Sequence, residues 1–269
     1  MDAGDFTLTP ELDAEIARAA GWLREARSVV ALTGAGLSVE SGIPPFRGPG
    51  GLWTKYGEPP LDGYQRFMRD PARAWRDRLH PKEPWAIGLV STLAAAKPNA
   101  GHRALAALEE LDLLDALITQ NVDDLHVQAG QRSLFEIHGN HYWLRCMECH
   151  QRFHPKTIAI DEAKLPPLCP ECGGIVKADT VSFGEPIPPL VLRGCYAATE
   201  RADCMLVVGT SATVYPAAEF PMDVLRRRGR VIEVNPYPSE LTPHATLLLQ
   251  GPAGAILSRL VQHAKAGAA

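Results

Sequence analysis

Short apolar runs alternate with amphipathic stretches along most of this 269-residue chain. The apolar runs have the length of buried strands and lie at 29–32, 113–119, 205–208, 231–234 and 246–249, and a further strand followed by a polar tip lies at 134–140. The amphipathic stretches predict helices at 10–27, from 70, at 84–96, 103–110, 190–199, 217–227 and from 253. Strands and helices that alternate in this order predict an α/β fold, with a parallel, doubly wound sheet and helices on both of its faces.

Polar and glycine residues follow the predicted strands at their carboxyl ends. In parallel, doubly wound sheets, ligands bind beyond that edge, so side chains from separate strands meet there. The residues that this arrangement places at the edge are Gly34-Ala35-Gly36, Gln120-Asn121-Val122-Asp123, His138, Gly209-Thr210-Ser211 and Asn235. The sequence therefore predicts a ligand site at this edge of the sheet.

A glycine-rich turn, Gly34-Ala35-Gly36, follows the first strand. Glycines there let the backbone approach a phosphate, and a short helix after the turn points free N–H groups toward it. The dinucleotide-binding fingerprint has a third glycine where this chain has Val39, and no clear acidic residue ends a second strand. A turn that binds no ligand is the alternative. The following loop, with Ser38, is unusual for a dehydrogenase and makes Arg47 available to a pyrophosphate.

Asn121, Asp123 and His138 are the candidates for chemistry at the strand ends. Asparagine and aspartate at such positions also cap helices, and a lone histidine is more often a hydrogen-bonded residue of the core. An imidazole at a strand tip can act as a base near neutral pH, which favours a functional role for His138. From the residues alone, both interpretations stay open.

Four of the six cysteines form two Cys-x-x-Cys pairs, Cys146/Cys149 and Cys169/Cys172. This spacing predicts a four-thiolate zinc site, because each pair presents two sulfurs to one ion and two pairs complete a tetrahedron. A closed shell of four sulfurs leaves no position for water, so the zinc would be structural. The other two, Cys195 and Cys204, fall within predicted elements and are expected to be core residues.

Composition limits the classes of function. The net charge of −4 argues against a protein that binds the phosphate backbone of nucleic acid, and no direct nucleic-acid binding is expected. No apolar run approaches about 18 residues, and the acidic first residues lack the layout of a signal peptide. Cysteines spaced for a metal favour a reducing compartment. We therefore expect a cytoplasmic protein that does not associate with membranes.

The segment Val181-Ser182-Phe183-Gly184-Glu185 begins like a strand and then reaches a glycine. An exposed edge here would allow pairing with an extended peptide, as in recognition by β-strand addition. A strand that only links the cysteine-rich segment to the main sheet is equally compatible with the residues.

Taken together and in this order, the motifs resemble the sirtuins, the NAD-dependent protein deacylases, of prokaryotic type. The resemblance covers about 26–253 and rests on the glycine turn, SGIPPFR (41–47), TQNVD (119–123), HG (138–139), the four cysteines, VSFGE (181–185), GTS (209–211) and VNP (234–236). The family's fold implies a Rossmann-like NAD-binding domain at 1–48, 96–140 and 181–269. Two insertions, 49–95 and 141–180, would form a small domain from a helical segment and a zinc-ribbon module.

The resemblance also implies roles for individual residues. NAD would be bound by Gly34, Ala35, Gly36, Ser38, Phe46, Arg47, Gln120, Asn121, Asp123, Gly209, Thr210, Ser211, Asn235 and Ala253. Asn121 and Asp123 match the pocket for the nicotinamide carboxamide. His138 matches the catalytic base, and Asn121 is counted with it as catalytic. The segment that binds the acylated substrate is matched by Val181, Phe183, Gly184 and Glu185.

The family reaction consumes NAD. The acyl oxygen attacks the ribose carbon that bears nicotinamide, which leaves, and the histidine then deprotonates a ribose hydroxyl that attacks the resulting imidate. The products are free lysine, nicotinamide and O-acyl-ADP-ribose, so NAD is a co-substrate and no hydride moves. The implied partners are proteins or peptides with acylated lysines, and the implied metal is one structural zinc.

Several positions depart from the usual pattern of the family. Pro45 stands where aspartate is usual, Asp124 where glycine is common, and Ser182 where a bulky residue lies beside the acyl-lysine tunnel. A Tyr-x-x-Arg pair, found in members that prefer acidic acyl groups, is absent because its positions fall on Arg78 and Pro81, and substitution of the missing arginine by Arg76 or Arg78 stays open. Acetyl or other uncharged acyl groups are therefore the expected substrates.

Two other functions remain open at this point. A mono-ADP-ribosyltransferase or NAD-glycohydrolase on the same fold would use the NAD pocket without a base, and the presence of His138 argues against it. A zinc-ribbon module that binds nucleic acid or protein would leave the glycine turn structural. The acidic net charge and the ordered strand-end motifs argue against that module. The sequence therefore favours an NAD-dependent protein-lysine deacylase.

Overall fold

The computed structural model describes residues 6–267. Residues 1–5 and 268–269, which the sequence analysis counts with the NAD-binding domain, lie outside the described residues. Within 6–267 the helices are α1 (Pro10–Glu25), α2 (Leu52–Tyr56), α3 (Gly63–Arg69), α4 (Pro71–Leu79), α5 (Pro84–Ala95), α6 (Ala100–Glu110), α7 (Leu125–Gln128), α8 (Pro189–Arg201), α9 (Glu219–Arg226) and α10 (Ala253–Ala266). Short 3-10 helices lie at Ala35–Ser41, Pro155–Thr157 and Glu162–Lys164. The strands are β1 (Val29–Thr33), β2 (Ala116–Thr119), β3 (Leu134–Glu136), β4 (Gly139–Cys146), β5 (Arg152–Phe153), β6 (Val176–Thr180), β7 (Cys204–Val208), β8 (Arg230–Asn235) and β9 (Leu247–Gln250).

Six strands form one parallel sheet in the order β3-β2-β1-β7-β8-β9. The chain builds β1, β2 and β3 outward on one side. It then returns to the middle, where β7 pairs with β1, and adds β8 and β9 on the other side. The connections after β1 and β7 therefore run to opposite sides and leave a crevice at the carboxyl ends of these strands. This is the doubly wound, Rossmann-like sheet that the sequence predicts.

Helices cover both faces of the sheet because its central strands are apolar on both sides. On one face α1, α6 and α10 pack through residues such as Ile16 and Leu257. On the other face α8 and α9 pack through Cys195 and Phe220. Cys195 and Cys204 are buried within these two cores, as expected.

A second, antiparallel sheet in the order β5-β4-β6 carries its own core. Phe67 of α3 and Trp75 of α4 pack there with Leu144 and Val176. Trp75 Nε1 also donates a hydrogen bond to Val176 O at 2.8 Å. The helical and the cysteine-rich insertions therefore share one small core, apart from those of the main sheet. The bounds 49–95 and 141–180 remain a prediction, and β4 already begins at Gly139.

Residues 48–60 are rich in glycine and proline, which predicts a loop, and this prediction is wrong in part because α2 lies within the segment and α3 follows soon after. The start of α2 is held from outside: Leu52 N donates to Pro45 O and Trp53 N to Phe46 O, both at 2.8 Å. Such contacts depend on how the loop folds back, which a local residue pattern does not contain.

The prediction of a strand start at Val181 was also wrong. β6 ends at Thr180, and residues 181–185 leave the small sheet as a loop with a turn. The first part of the run 113–119 likewise lies outside β2, which begins at Ala116. The apolar residues Val181 and Phe183 line a cavity instead of a sheet face.

Two buried histidines lie side by side beneath the carboxyl ends of the strands. The ring centroids of His102 and His126 are 4.9 Å apart. Burial lowers the pKa of His102 to about 4 and lowers the pKa of His126 well below its ordinary value. Among the described residues, His102 Nε2 and His126 Nδ1 have no hydrogen-bond partner. The folded protein therefore holds both rings neutral.

We expect the stability of the fold to decrease as the pH falls from about 6.5 towards about 4. In the unfolded chain both histidines take up a proton in this range, whereas the folded protein keeps them neutral, so protons favour unfolding. Thermal unfolding midpoints should therefore decline across this window, and less steeply in His102→Asn. The asparagine keeps an acceptor for Asn99 N, which now donates to His102 Nδ1, but cannot titrate. Equal slopes for the two proteins would contradict this explanation.

Candidate active site

The glycine turn lies against the end of β7 at the centre of the sheet. Gly34 N donates to Val208 O at 3.0 Å, and Gly36 N donates to Gly209 O at 2.8 Å. A Cβ atom at either Gly34 or Gly36 would lie 2.8 Å from Gly209 O, closer than side-chain carbons approach a backbone oxygen. The two glycines are therefore required by the packing of the turn against the neighbouring strand end.

Asn121, Ser38 and Asp123 form a hydrogen-bonded chain beyond the end of β2. Asn121 Nδ2 donates to Gly34 O at 3.0 Å and to Ser38 Oγ at 3.2 Å. Ser38 Oγ in turn donates to Asp123 Oδ2 at 2.6 Å, and Asp123 Oδ1 accepts from Leu125 N at 3.0 Å. Burial raises the pKa of Asp123, and the hydrogen bond from Ser38 opposes that rise. The chain fixes both strand-end side chains against the glycine turn.

His138 lies between β3 and β4, with its Nδ1 3.2 Å from Gln120 O. A carbonyl oxygen only accepts hydrogen bonds, so Nδ1 carries the proton and Nε2 keeps its unshared electron pair. Burial lowers the pKa of His138, and the hydrogen bond to Gln120 O opposes that shift. His138 is therefore neutral at neutral pH, which is the state that a general base requires.

Hydrogen bonds link residues at the ends of β2, β7 and β8 across the crevice, past the end of β1, which lies between β2 and β7. Gln120 Nε2, after β2, donates to Thr210 Oγ1, after β7, at 2.9 Å. Asn235 Nδ2, at the end of β8, donates to Thr210 O at 3.0 Å and to the buried Glu233 at 3.2 Å. The polar residues predicted at separate strand ends therefore form one connected edge.

One cavity of about 1510 Å³ is lined by every residue that the sequence placed in the NAD, base and substrate sets. These residues are Gly34, Ala35, Gly36, Ser38, Phe46, Arg47, Gln120, Asn121, Asp123, His138, Val181, Phe183, Gly184, Glu185, Gly209, Thr210, Ser211, Asn235 and Ala253. Typical small-molecule pockets measure about 300–1,000 Å³, so this cavity has room for a large ligand or for two ligands together.

The cavity also has walls that the sequence analysis missed. Trp53 of α2, Leu89 and Leu93 of α5, and Tyr196 of α8 line it. A signal was present for α5, since 84–95 holds no charged residue and is too apolar for a helix with one solvent face. Trp53 also carried a signal, because it is a large aromatic residue within a segment rich in glycine and proline.

Arg47 is held by its own loop. Its guanidinium lies 4.4 Å from the ring centroid of Trp53, and Nε donates to Glu58 Oε1 at 3.0 Å. The Trp53 ring also contacts Phe46 and Phe183, with centroid distances of 4.9 and 5.8 Å. Trp53 therefore joins the Arg47 loop to the 181–185 segment across the cavity.

Asp124, the unusual residue after the strand end, adopts a left-handed φ of 67°. This conformation explains why glycine is common at the position, because glycine adopts it without steric cost. The Asp124 carboxylate accepts a hydrogen bond from Asn140 Nδ2 at 2.9 Å, and Asp124 is not among the residues that line the cavity. The carboxylate is therefore held by Asn140, outside the lining of the cavity, while its charge helps to raise the pKa of the neighbouring Asp123.

The four cysteines converge in the small domain, outside the cavity. Their sulfur atoms all lie within 4.8 Å of one another, with Cys146–Cys172 at 3.5 Å and Cys149–Cys169 at 3.8 Å. A tetrahedral zinc with Zn–S distances of about 2.3 Å requires sulfurs about 3.8 Å apart, so the group fits one zinc ion. The distances are far too long for disulfides. These residues are positioned to hold one structural zinc.

The sequence model of the Sir2 family matches residues 34–216, which is more than half of the chain. The chain belongs to the Sir2 family. The "NAD-dependent protein deacylase 1" of Archaeoglobus fulgidus is 42% identical over 245 residues, which cover 90% of this chain and 95% of the relative. A solved Sir2 homologue in complex with NAD is 41% identical, with a TM-score of 0.76 and 94% of each chain covered. A Sir2 complex with a p53 peptide and NAD+ is 33% identical, with a TM-score of 0.73 and 94% and 98% coverage.

Membership of the Sir2 family confirms the resemblance to the sirtuins and the fold class predicted from the sequence. The Sir2 structures cover the small domain as well as the main sheet, because they align with 94% of this chain. Across residues 6–267, helices with the length and apolar character to span a bilayer are absent.

Proposed function

We propose that this protein is an NAD-dependent protein-lysine deacylase that releases nicotinamide and O-acyl-ADP-ribose. The observation that carries this proposal is the single cavity in which the glycine turn, the Asn121–Asp123 strand end and the neutral His138 face one another. Relatives named as deacylases and Sir2 structures with NAD support the same function.

The features of the cavity suit NAD as the co-substrate. The glycine turn at the crevice offers close backbone approach to a pyrophosphate, and Ala253 begins the 14-residue helix α10 at its edge. We assign the nicotinamide end to Asn121 and Asp123 and the adenosine end to Asn235 and Ala253, on opposite sides of that crevice. When bound, NAD would supply a ribose carbon from which nicotinamide can leave.

The roles of the protein side chains follow from their hydrogen bonds. Both side-chain hydrogen bonds of Asn121 are donated by Nδ2, so Oδ1 is the atom left to orient the carboxamide. Asp123, buried and held by Ser38, offers a carboxylate to the same group. His138 Nε2 takes the proton of a ribose hydroxyl, since Nδ1 is engaged by Gln120 O. Each group is fixed before any ligand arrives.

We propose an uncharged acyl group, such as acetyl, on a lysine peptide that binds along 181–185. Arg47 is the sole lysine or arginine among the described residues that line the cavity, and Glu58 already pairs with it. Arg78, which could have received an acidic acyl group, donates to His141 O at 3.2 Å and is not part of the lining. The cavity therefore offers no free cation to an acidic acyl chain.

We also propose a cytoplasmic location. The six cysteines, all among the described residues, are free, and four of them are placed to bind zinc as thiolates. Thiolate zinc sites persist in reducing compartments, which supports this location.

The test of this function is incubation of the protein with NAD and an acetyl-lysine peptide, followed by mass spectrometry. We expect deacetylated peptide, nicotinamide and O-acetyl-ADP-ribose in equal amounts. ADP-ribose attached to protein without deacetylation would support a mono-ADP-ribosyltransferase. Free ADP-ribose alone would support an NAD-glycohydrolase, and either result would overturn the proposal.

A further inference from the structure

A buried ion-pair cluster holds the 181–185 segment. The Glu185 side chain is 1% exposed, and its carboxylate accepts from Arg145 Nη2 at 2.8 Å and from Lys177 Nζ at 3.0 Å. Ser182 N adds a third hydrogen bond at 2.9 Å. Although Glu185 borders the cavity, its carboxylate is bound by protein groups. The resemblance to the sirtuins implies that Glu185 binds the substrate. Here, however, its carboxylate is engaged by groups of the protein itself.

The hydrogen bonds of Glu185 shape the backbone of the segment. Ser182 N donates to the Glu185 carboxylate, while Glu185 N donates to Ser182 O at 3.0 Å, which closes a tight turn. Gly184, within that turn, has a left-handed φ of 78°. The segment begins where Val181 N donates to His138 O at 2.9 Å. The turn is therefore fixed directly beside the proposed base.

The other side of the cluster belongs to the zinc module. Arg145 is the residue before Cys146 on β4, and it lies opposite Lys177 on β6. Arg145 Nε donates to Asp179 Oδ1 at 2.7 Å, so its guanidinium bridges two buried carboxylates. The side chains of Arg145 and Lys177 are only 3% and 6% exposed. Buried cations of this kind need a charged partner, because an unpaired buried charge is strongly destabilising.

We propose that Glu185 is a positioning residue, which fixes residues 181–184 for an extended acyl-lysine peptide and so makes peptide binding depend on the zinc module. It acts through the backbone and does not contact the substrate. This inference rests on the proposed deacylase function. It deepens that function because it names the Arg145–Lys177–Glu185 cluster as the group that fixes the conformation of the peptide-binding residues 181–184.

The first measurement is steady-state kinetics of Glu185→Gln. We expect the KM for the acyl-peptide to rise about tenfold, because a neutral amide replaces a charge-assisted acceptor of three donors. The KM for NAD should stay unchanged, since the contacts of the glycine turn and of Asn235 do not involve Glu185. A merely structural role would change both constants, or neither.

Glu109→Gln is the matched control. Glu109 is likewise a buried carboxylate, and it accepts from Gln131 Nε2, Arg132 N and Ser133 N at 2.7–3.0 Å. It is not among the cavity-lining residues. The same chemical change there should lower stability without raising the peptide KM. An equal rise in both variants would overturn the positioning role.

Hydrogen–deuterium exchange of the free protein provides a readout that needs no activity. The amides of 181–185 should exchange faster in Glu185→Gln than in the wild type and in Glu109→Gln. If Glu185→Gln does not fold, Glu185→Asp keeps the charge on a shorter side chain and should show the same faster exchange. Wild-type rates in the folded variant would overturn the inference. A wild-type protein that fails to deacylate would overturn the proposed function, while the exchange data would still test the cluster.

Discussion

His138→Ala should reduce deacylation by roughly 10²–10⁴-fold and leave NAD binding nearly unchanged. His138 is the residue at the cavity whose protonation state suits a base: Nδ1 is committed to Gln120 O, and burial keeps the ring neutral. Asn121 and Asn235, which we assign to NAD, lie at other strand ends, and their side-chain hydrogen bonds do not involve His138. Calorimetric titration with NAD, alongside a coupled assay of nicotinamide release with acyl-peptide, measures the two effects separately.

The proposed role also predicts which step survives in His138→Ala. Since the base acts after nicotinamide has left, labelled nicotinamide should still exchange into NAD in the presence of acyl-peptide. The control is His244→Ala, which removes an exposed histidine that does not line the cavity. Full deacylation by His138→Ala would remove this histidine from the mechanism.

Loss of zinc should unfold the small domain and, with it, abolish peptide deacylation. Structural zinc contributes about 10–16 kcal/mol in zinc-finger peptides, which is more than the whole stability of most domains. The small core has few residues of its own, and Cys146 and Cys169 are part of it. Metal analysis should find about one zinc per chain in the wild type, and Cys146→Ser should lose it. Limited proteolysis should then cleave the variant within 141–180.

Cys195→Ala is the control for the zinc prediction, because Cys195 is a buried cysteine of the main core that lies outside the four-sulfur group. It should keep the zinc content of the wild type. NAD should still bind to the Cys146→Ser protein, since the residues that we assign to its two ends lie at strand ends of the main sheet and at the start of α10. Normal zinc content and resistance to protease in Cys146→Ser would show that the four cysteines do not form the metal site.

The main sheet and the strand-end residues could be predicted from the sequence because both depend on local information. The run Val29-Val30-Ala31-Leu32 is apolar throughout and lies in a strand that is buried on both faces, and the turn that follows this strand carries its own glycines. The zinc group was predictable for the same reason, since the spacing within each Cys-x-x-Cys pair is local. The order of such motifs along the chain then made His138 a candidate among nine histidines.

The parts that were missed depend on contacts between distant segments. Residues 181–185 look like a strand, but Glu185 turns them into a loop because Arg145 and Lys177 reach it from β4 and β6. The short helix α2 depends on Pro45 O and Phe46 O. Neither arrangement has a repeat or a spacing that would mark it in a single sequence.

The packing of the glycine turn on β7 has a consequence for how this protein can diverge. Gly34, Gly36 and Gly209 meet so closely that the floor of the crevice is main chain, and a side chain at Gly209 would come within 2.4 Å of Leu37 N. Substitution of these glycines would therefore clash with the main chain, so the floor of the crevice is expected to stay unchanged. New acyl preferences are expected to arise at the side-chain walls, such as Leu89 and Leu93, while the floor keeps the same co-substrate through those changes.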